Sequence, residues 1–405
     1  MRRHSWHRIR YWQLQNGWRR RITKNVDIVI FGAGIAGLWT FNRLKRMGYD
    51  VLLLENKAIG CGQTIASQGI IHSGLKYAFA GQINNLAKSI SAMPDLWRDA
   101  LAGNGPVDLS TAKMSASSQH LLIPSGFMGG LVKLVTKKAL GGNVHEVSRD
   151  DWPNDIKDTG FKGSVIYMDE PVLDIGSVLN ALSDPYRDSI RVIDAPDDPI
   201  GFCEKYGIKA KKFIFTGAAS NHIWATSNAH DKGLKTQARP LLMGFIKNAP
   251  FPLYAHCVGQ SDKPIATITT HQTKDGSLVW YLGGGVAERA KEADPQDVYD
   301  ATKAMFKKYM PQIDISSFEW GVLPIDRIEG KSDTQNHLPD TPTIHKAGDH
   351  LYCWPTKLTF APMLSDMVVD WLDIEPSHQN TDFSDLTMAE ITETPWDEMQ
   401  WTKDV

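Results

Sequence analysis

The stretch that most constrains this chain runs from Asp27 to Glu55, where two short apolar runs enclose three spaced glycines. Asp27-Ile28-Val29-Ile30-Phe31 has the continuous hydrophobicity of a strand buried on both faces in a parallel sheet. It leads without a break into Gly32, Gly34 and Gly37, the spacing GxGxxG. In that position the first glycine permits a tight turn, the second lets the backbone approach a pyrophosphate, and the third lets the next helix lie close on the sheet. The helix is expected over roughly Ile35 to Met47. Its first turn, with Gly34, Ile35 and Ala36, presents N–H groups and a positive dipole end to the phosphates. A second buried strand, Val51-Leu52-Leu53-Leu54, ends at Glu55, whose carboxylate is placed to accept from a ribose 2′-OH. Strand, glycines, helix, strand and acid in that order predict a dinucleotide site.

NAD and FAD both carry ADP, so the pattern up to Glu55 does not choose between them. The next segment does. Gly60-Cys61-Gly62-Gln63-Thr64 and Ser67-Gln68-Gly69-Ile70-Ile71-His72-Ser73-Gly74-Leu75-Lys76-Tyr77 form a second stretch rich in glycines and hydroxyls. It resembles the D-amino acid oxidase (DAO) superfamily of FAD enzymes. The IIHSGLKY wording resembles most the branch containing glycerol-3-phosphate dehydrogenase and L-2-hydroxyglutarate oxidase. That resemblance implies FAD as the cofactor, with Thr64, Ser67, Gln68 and Gly69 in the segment that runs under the flavin and His72 beside it. The competing reading, an NAD-binding protein without flavin, predicts a colourless preparation.

A length of 405 residues with 42% hydrophobic residues is ample for a large core and suggests two domains. No uninterrupted apolar run reaches the roughly 18 residues of a membrane span. A formal net charge of −2 predicts no general attraction to nucleic acid. Cys61, Cys203, Cys257 and Cys353 have no metal-ligand spacing, so no metal is expected, and they read as reduced thiols of a cytoplasmic protein. The ends are unlike the whole. Residues 1–24 carry eight Arg and Lys, no acid, and Trp6, Trp12 and Trp18, whereas residues 376–405 are an acidic tail. Three readings stay open for the basic arm: an interfacial helix on anionic lipid, suited to a dehydrogenase that reduces quinone; a disordered extension or a start placed too far upstream; and a targeting peptide.

Further along, Ala80 to Trp97 has helical spacing, with Ile83, Leu86, Ile90 and Met93 three or four apart. Gly103 to Gly163, with glycine pairs at Gly129-Gly130 and Gly141-Gly142, reads as part of a second domain. Glu170 to Leu182 is similar to the family's return to the cofactor domain. Lys212 to Asn221 reads as a strand and glycine turn that resembles the family's TGAWSN element, which implies that Gly217 closes over the ADP half. Gln237 to Val286 has the texture of antiparallel strands, with Lys274-Asp275-Gly276 as a hairpin signal. In the superfamily that sheet roofs the active site, so Arg239, Tyr254, His256, His271 and Tyr281 are the substrate candidates, about two of five being expected to touch substrate and the rest to be structural. Arg239 stands out because a guanidinium holds a carboxylate or phosphate in two bonds.

Phe318 to Pro324 resembles the family's WxGxRP turn but places Leu323 where the substrate-binding arginine is often found, which speaks against an amino-acid-oxidase carboxylate clamp; Arg327, four residues on, is a further substrate candidate in its place, with a surface arginine as its other reading. Trp354-Pro355-Thr356-Lys357-Leu358-Thr359-Phe360-Ala361-Pro362 and an apolar helix from Met363 to Leu372 complete the resemblance, which implies that Lys357, Leu358 and Thr359 lie at the flavin's pyrimidine edge. There a helix end with free N–H groups stabilises the negative charge of the reduced ring.

The expected architecture is α/β: a discontinuous Rossmann-like FAD domain (residues 25–80, 165–235 and 320–375) and an α+β substrate domain on a mainly antiparallel sheet (81–164 and 236–319). The expected activity is hydride removal from a small, anionic alcohol, such as a 2-hydroxy acid or glycerol phosphate, to flavin N5. His72 is the first candidate for the base, with a plain flavin contact or a covalent flavin link as its other readings; Arg239 and Lys357 are the accompanying catalytic candidates. Oxidation of an amine or amino acid is the alternative within enzymes, and a non-catalytic electron-transfer subunit the alternative outside them. The electron acceptor is oxygen or quinone.

Overall fold

The computed structural model describes residues 23–73, 90–126, 144–218, 220–221, 223–224, 236–258, 264–330, 341–354, 357–403 and 405. The basic arm up to residue 22, the end of the IIHSGLKY stretch, the first part of the Ala80–Trp97 helix and both glycine pairs lie outside the described residues.

In chain order the strands are β1 (Lys24–Phe31), β2 (Val51–Glu55), β3 (Met114–Ala116), β4 (Gln119–Pro124), β5 (Val144–Val147), β6 (Gly163–Met168), β7 (Val172–Leu173), β8 (Ile190–Val192), β9 (Ile208–Phe215), β10 (Thr236–Lys247), β11 (Ala255–Val258), β12 (Pro264–Gln272), β13 (Leu278–Gly283), β14 (Glu319–Gly330), β15 (Thr343–Ala347) and β16 (His350–Trp354). The helices are α1 (Ile35–Arg46), α2 (Met93–Leu101), α3 (Asn154–Asp158), α4 (Ile175–Ser183), α5 (Pro199–Lys205), α6 (Pro295–Tyr309), α7 (Ala361–Trp371) and α8 (Pro395–Glu398).

Two sheets carry the fold. The first has the order β15-β16-β9-β1-β2-β8 and is parallel except for the β15–β16 pair. Its apolar runs are continuous because alternate side chains serve two cores. Ile28, Ile30, Val51 and Leu53 pack with α1, α4 and α7 on one face, while Val29, Phe31, Leu52 and Leu54 pack with Phe202 of α5 and with Phe383 on the other. The second sheet, β14-β10-β13-β12-β11-β4-β6-β5, is antiparallel except where β11 meets β4. It packs Ile268, Trp280 and Leu282 against Tyr299, Met305 and Phe306 of α6. The α/β class and the mainly antiparallel second sheet are as the sequence implies.

One expectation changes. Phe318 to Pro324 is no turn: nearly all of it lies in β14, which pairs with β10 over all twelve residues and so belongs to the second sheet rather than the first. Pro324 is tolerated because β14 is the edge strand. The acidic tail is not loose. Ile59 N–H donates to Glu390 O at 2.7 Å, Val192 N–H to Thr387 O at 2.8 Å and Trp320 N–H to Thr402 O at 2.8 Å, so the segment crosses from the first sheet to the second.

Trp396 of that segment stacks on His271 of β12 with centroids 4.2 Å apart, and burial pushes the His271 pKa down to about 3. An unfolded histidine takes its proton near pH 6.5, but this one refuses it in the fold, so stability falls as pH drops from about 6.5 towards 3. Between pH 7 and pH 5 the linkage amounts to about 2 kcal/mol. Denaturant unfolding of His271→Phe is therefore expected to lose about 2 kcal/mol less than the parent between those pH values; an equal loss would show that His271 is not held neutral.

Candidate active site

A cleft of about 670 Å³ opens at the carboxyl ends of β1, β2 and β9. From β1 the chain proceeds outward through β2, then crosses back to β9 on the other side, and this switch point is where open α/β sheets bind ligands. The cleft is lined by Gly32, Gly34, Ile35, Ala36, Glu55, Thr64, Ser67, Gln68, Gly69, His72, Gly217, Arg327, Lys357, Leu358 and Thr359, residues that the sequence scatters over three hundred positions. Gly37 stands behind it, where a Cβ would lie 1.9 Å from Gly32 O, so a side chain there would push α1 off β1.

The turn after β1 is held by side chains from outside it. Gly32 adopts φ +99°, Ala33 N–H donates to Glu55 Oε2 at 2.7 Å, and Ile35 N–H donates to Thr64 Oγ1 at 3.0 Å. Thr64 thus caps α1, and the N–H groups expected to face phosphate are fewer by one. Glu55 Oε1 accepts from Lys57 N–H at 2.9 Å, so the carboxylate is fixed at the mouth of the cleft with lone pairs remaining on both oxygens. Among the described residues Ser67 Oγ, buried in the lining, has no hydrogen-bond partner, the condition of a donor that a bound molecule satisfies. On the far side Gly217 N–H donates to Asn221 Oδ1 at 2.8 Å, and Asn221 Nδ2 donates to Phe215 O and Cys353 O, clasping the ends of β9 and β16. Glycine turn, ribose-side acid and an orphaned hydroxyl along one groove fit an extended dinucleotide such as FAD.

Gln68 ties this groove to the roof: its Nε2 donates to Thr267 O at 3.0 Å and Tyr281 O at 2.8 Å. Tyr281 in turn donates to Ala66 O at 2.5 Å, a structural role. At the inner end His72 N–H donates to Thr359 Oγ1 at 3.1 Å, so the segment carrying His72 and the turn leading into α7 form one wall. Lys357 precedes the single 3-10 turn Leu358–Phe360 that runs into α7, with Pro362 at the start of the helix, where its missing N–H costs nothing.

The roof candidates separate. His256 lies within ring contact of His72, at 5.9 Å between centroids, but is buried behind it. His271 sits under Trp396 and Tyr254 donates to Thr270 O at 3.1 Å; neither lines the cleft. Arg239 does not line it either, although it pairs in register with Arg327 across β10 and β14 and so leaves the sheet on the same face. Arg327 does reach the cleft, its Nε donating to Glu329 Oε1 at 3.0 Å. Leu323 packs among apolar residues of that face, with Leu241, Ile325 and Trp401.

Glu170 is the residue that sequence reasoning passed over. It is buried, lines the cleft, and its Oε2 lies 3.1 Å from His72 Nδ1. Burial alone would raise its pKa, but the His72 imidazole beside it, with that of His256 behind, holds it well below the usual carboxylate range. An acid at the end of a buried strand, directly before Pro171, was the available signal.

Comparison with known proteins agrees with this geometry. The family described as FAD dependent oxidoreductase (DAO) matches residues 27–189. A probable FAD-dependent oxidoreductase of Pseudomonas aeruginosa, PA4991, is 34% identical over 391 residues, covering 92% of this chain and 98% of that protein. The crystal structure of PA4991 superposes with a TM-score of 0.78 at 30% identity, over 93% of this chain and 99% of that one. Glycine oxidase from Geobacillus kaustophilus (TM-score 0.60, 14% identity, 92% and 100% covered) and L-alpha-glycerophosphate oxidase from Mycoplasma pneumoniae with FAD bound (0.61, 13%, 92% and 100%) share the fold.

Proposed function

The chain belongs to the DAO family of FAD-dependent oxidoreductases, and on that premise we propose that it oxidises a small, anionic alcohol of the 2-hydroxy acid or glycerol-phosphate type, with His72 as the base. The observation that supports this most is the placing of His72, backed by a buried carboxylate, in the same cleft as the Arg327 guanidinium. FAD, when bound, accepts a hydride from the substrate carbon. The chain's residues do the rest. His72 takes the hydroxyl proton as the C–H bond breaks, so that the carbinol carbon leaves as a carbonyl. Arg327, with Arg239 next to it on the same face, holds the anionic group and turns the carbinol carbon inward. Lys357 and the start of α7 place positive charge where the reduced ring is negative. Oxygen or quinone then receives the electrons.

Among the described residues no helix is long and apolar enough to cross a membrane. The Arg and Trp content of residues 1–24 is what supports placing a peripheral contact with a quinone-bearing membrane there.

An anaerobic donor screen tests the reading. Bleaching of the visible flavin band by 2-hydroxy acids or glycerol phosphate is the expected result, and bleaching by amines or amino acids alone would transfer the enzyme to the amine-oxidising kind. A yellow protein that no donor reduces would favour an electron-transfer subunit. Admitting air after reduction distinguishes oxygen from quinone as acceptor.

A further inference from the structure

The buried carboxylate behind His72 is held by three hydrogen bonds. Glu170 Oε1 accepts from both the N–H and the hydroxyl of Ser73, each at 2.8 Å. Oε2 faces His72 Nδ1 at 3.1 Å and His256 Nε2 at 3.7 Å, the latter longer than a hydrogen bond but within ion-pair range. A carboxylate offers about four lone-pair sites, and here three are engaged by donors, with the His256 ring standing near the fourth. His256 is oriented for this by Thr267, whose Oγ1 lies 2.9 Å from its Nδ1, so that Nε2 is the nitrogen turned to Glu170. The neighbouring acid cannot substitute, because Asp169 is engaged by Arg98, with Nη1 3.1 Å from Oδ2.

The backbone fixes the pair in register. Ile71 N–H donates to Pro171 O and Leu173 N–H to Gly69 O, both at 2.9 Å, so the segment carrying His72 runs antiparallel to the one carrying Glu170. Gly69 makes the approach possible: it adopts φ +73°, and a Cβ there would lie 2.2 Å from Leu173 O. Pro171 holds Glu170 in the extended conformation that a residue before proline prefers.

We propose that Glu170 is the positioning residue of the reaction. It holds His72 in the tautomer with the proton on Nδ1, so that Nε2 takes the substrate proton, and it balances the imidazolium that results. This rests on the reading of His72 as base. The substrate O–H bond breaks, its proton goes to Nε2, and Nδ1–H stays bonded to the carboxylate throughout. Among the described residues the groups shown near His72 are Glu170 from the β6–β7 connection, His256 from β11 and, in the same cleft, Lys357 before α7. Of these only Glu170 brings negative charge.

The test is nitrogen-15 NMR of the FAD-loaded protein labelled at histidine, with His72 assigned by its loss in His72→Asn. The wild type needs no substitution to be informative: neutral His72 is expected as the Nδ1–H form, and finding Nε2–H would overturn the proposal. In Glu170→Gln the neutral form is expected to become mixed and the His72 titration midpoint to fall by about one unit or more, as for loss of an adjacent opposite charge. A midpoint unchanged in Glu170→Gln, with FAD still bound, would overturn it as well. The outcome is separable from the reading of substrate. If no alcohol or amine bleaches the flavin while His72 shows the Nδ1–H form and the shift in Glu170→Gln, the substrate reading fails and the positioning role stands.

Discussion

Gly37→Ala is expected to give a protein that loses both its flavin and much of its stability. The added Cβ would lie 1.9 Å from Gly32 O and 2.7 Å from Thr216 Oγ1, atoms that belong to the glycine turn and to the end of β9. Overpacking usually costs roughly 1–3 kcal/mol because neighbours shift. Here the neighbour is a backbone carbonyl, and moving it opens the turn that receives the dinucleotide, so the cost should reach at least the upper end of that range. Thermal melting and the visible absorbance of the purified protein read the two effects together. Gly62→Ala supplies the contrast: unlike the helical Gly37, Gly62 has a positive φ, +78°, and among the described residues nothing lies within 4 Å of a Cβ there. Only backbone strain remains, about 1–2 kcal/mol. Should Gly37→Ala melt with Gly62→Ala and stay yellow, close approach of α1 to β1 is not what this glycine provides.

His72→Asn is expected to slow substrate-driven flavin reduction by about 10²–10⁴-fold, the usual contribution of a positioned acid–base group, while FAD remains bound. Asparagine is similar in size and keeps the backbone N–H that reaches Thr359 Oγ1, so the wall of the cleft should survive. Stopped-flow absorbance with whichever donor passes the anaerobic screen measures the rate. A loss of less than tenfold would move proton removal to another group.

The cofactor half of the site was legible because its constraints are local. A strand, three glycines, a helix and an acid within thirty residues leave few alternatives, and Gly32, Gly34 and Glu55 line one cleft as their spacing implies. The substrate half is assembled from residues whose meaning depends on distant partners. Glu170 looks like any acid after a strand until Gly69 and Leu173 bring it to His72. His271 looks like a roof ligand until Trp396, 125 residues away, covers it. The alternation of β12 does not say which of its faces meets the cleft, and the resemblance of Phe318 to Pro324 to a family turn carries no sign of the pairing along β10 that makes it an edge strand.

The central position of β1 bears on how the polypeptide is made. Its partner on one side, β2, is close in sequence, but its other partner, β9, leaves the ribosome about 180 residues later, on the order of 10–40 s at ordinary rates of synthesis. Over that interval one side of an apolar strand is an unpaired edge, open to the wrong neighbour. The β16 strand that covers β9, and the last segment that crosses to the second sheet, follow later still. Nascent chains of this protein should therefore need a chaperone until their final residues emerge, and a premature stop anywhere after β9 should produce aggregate rather than a smaller flavoprotein.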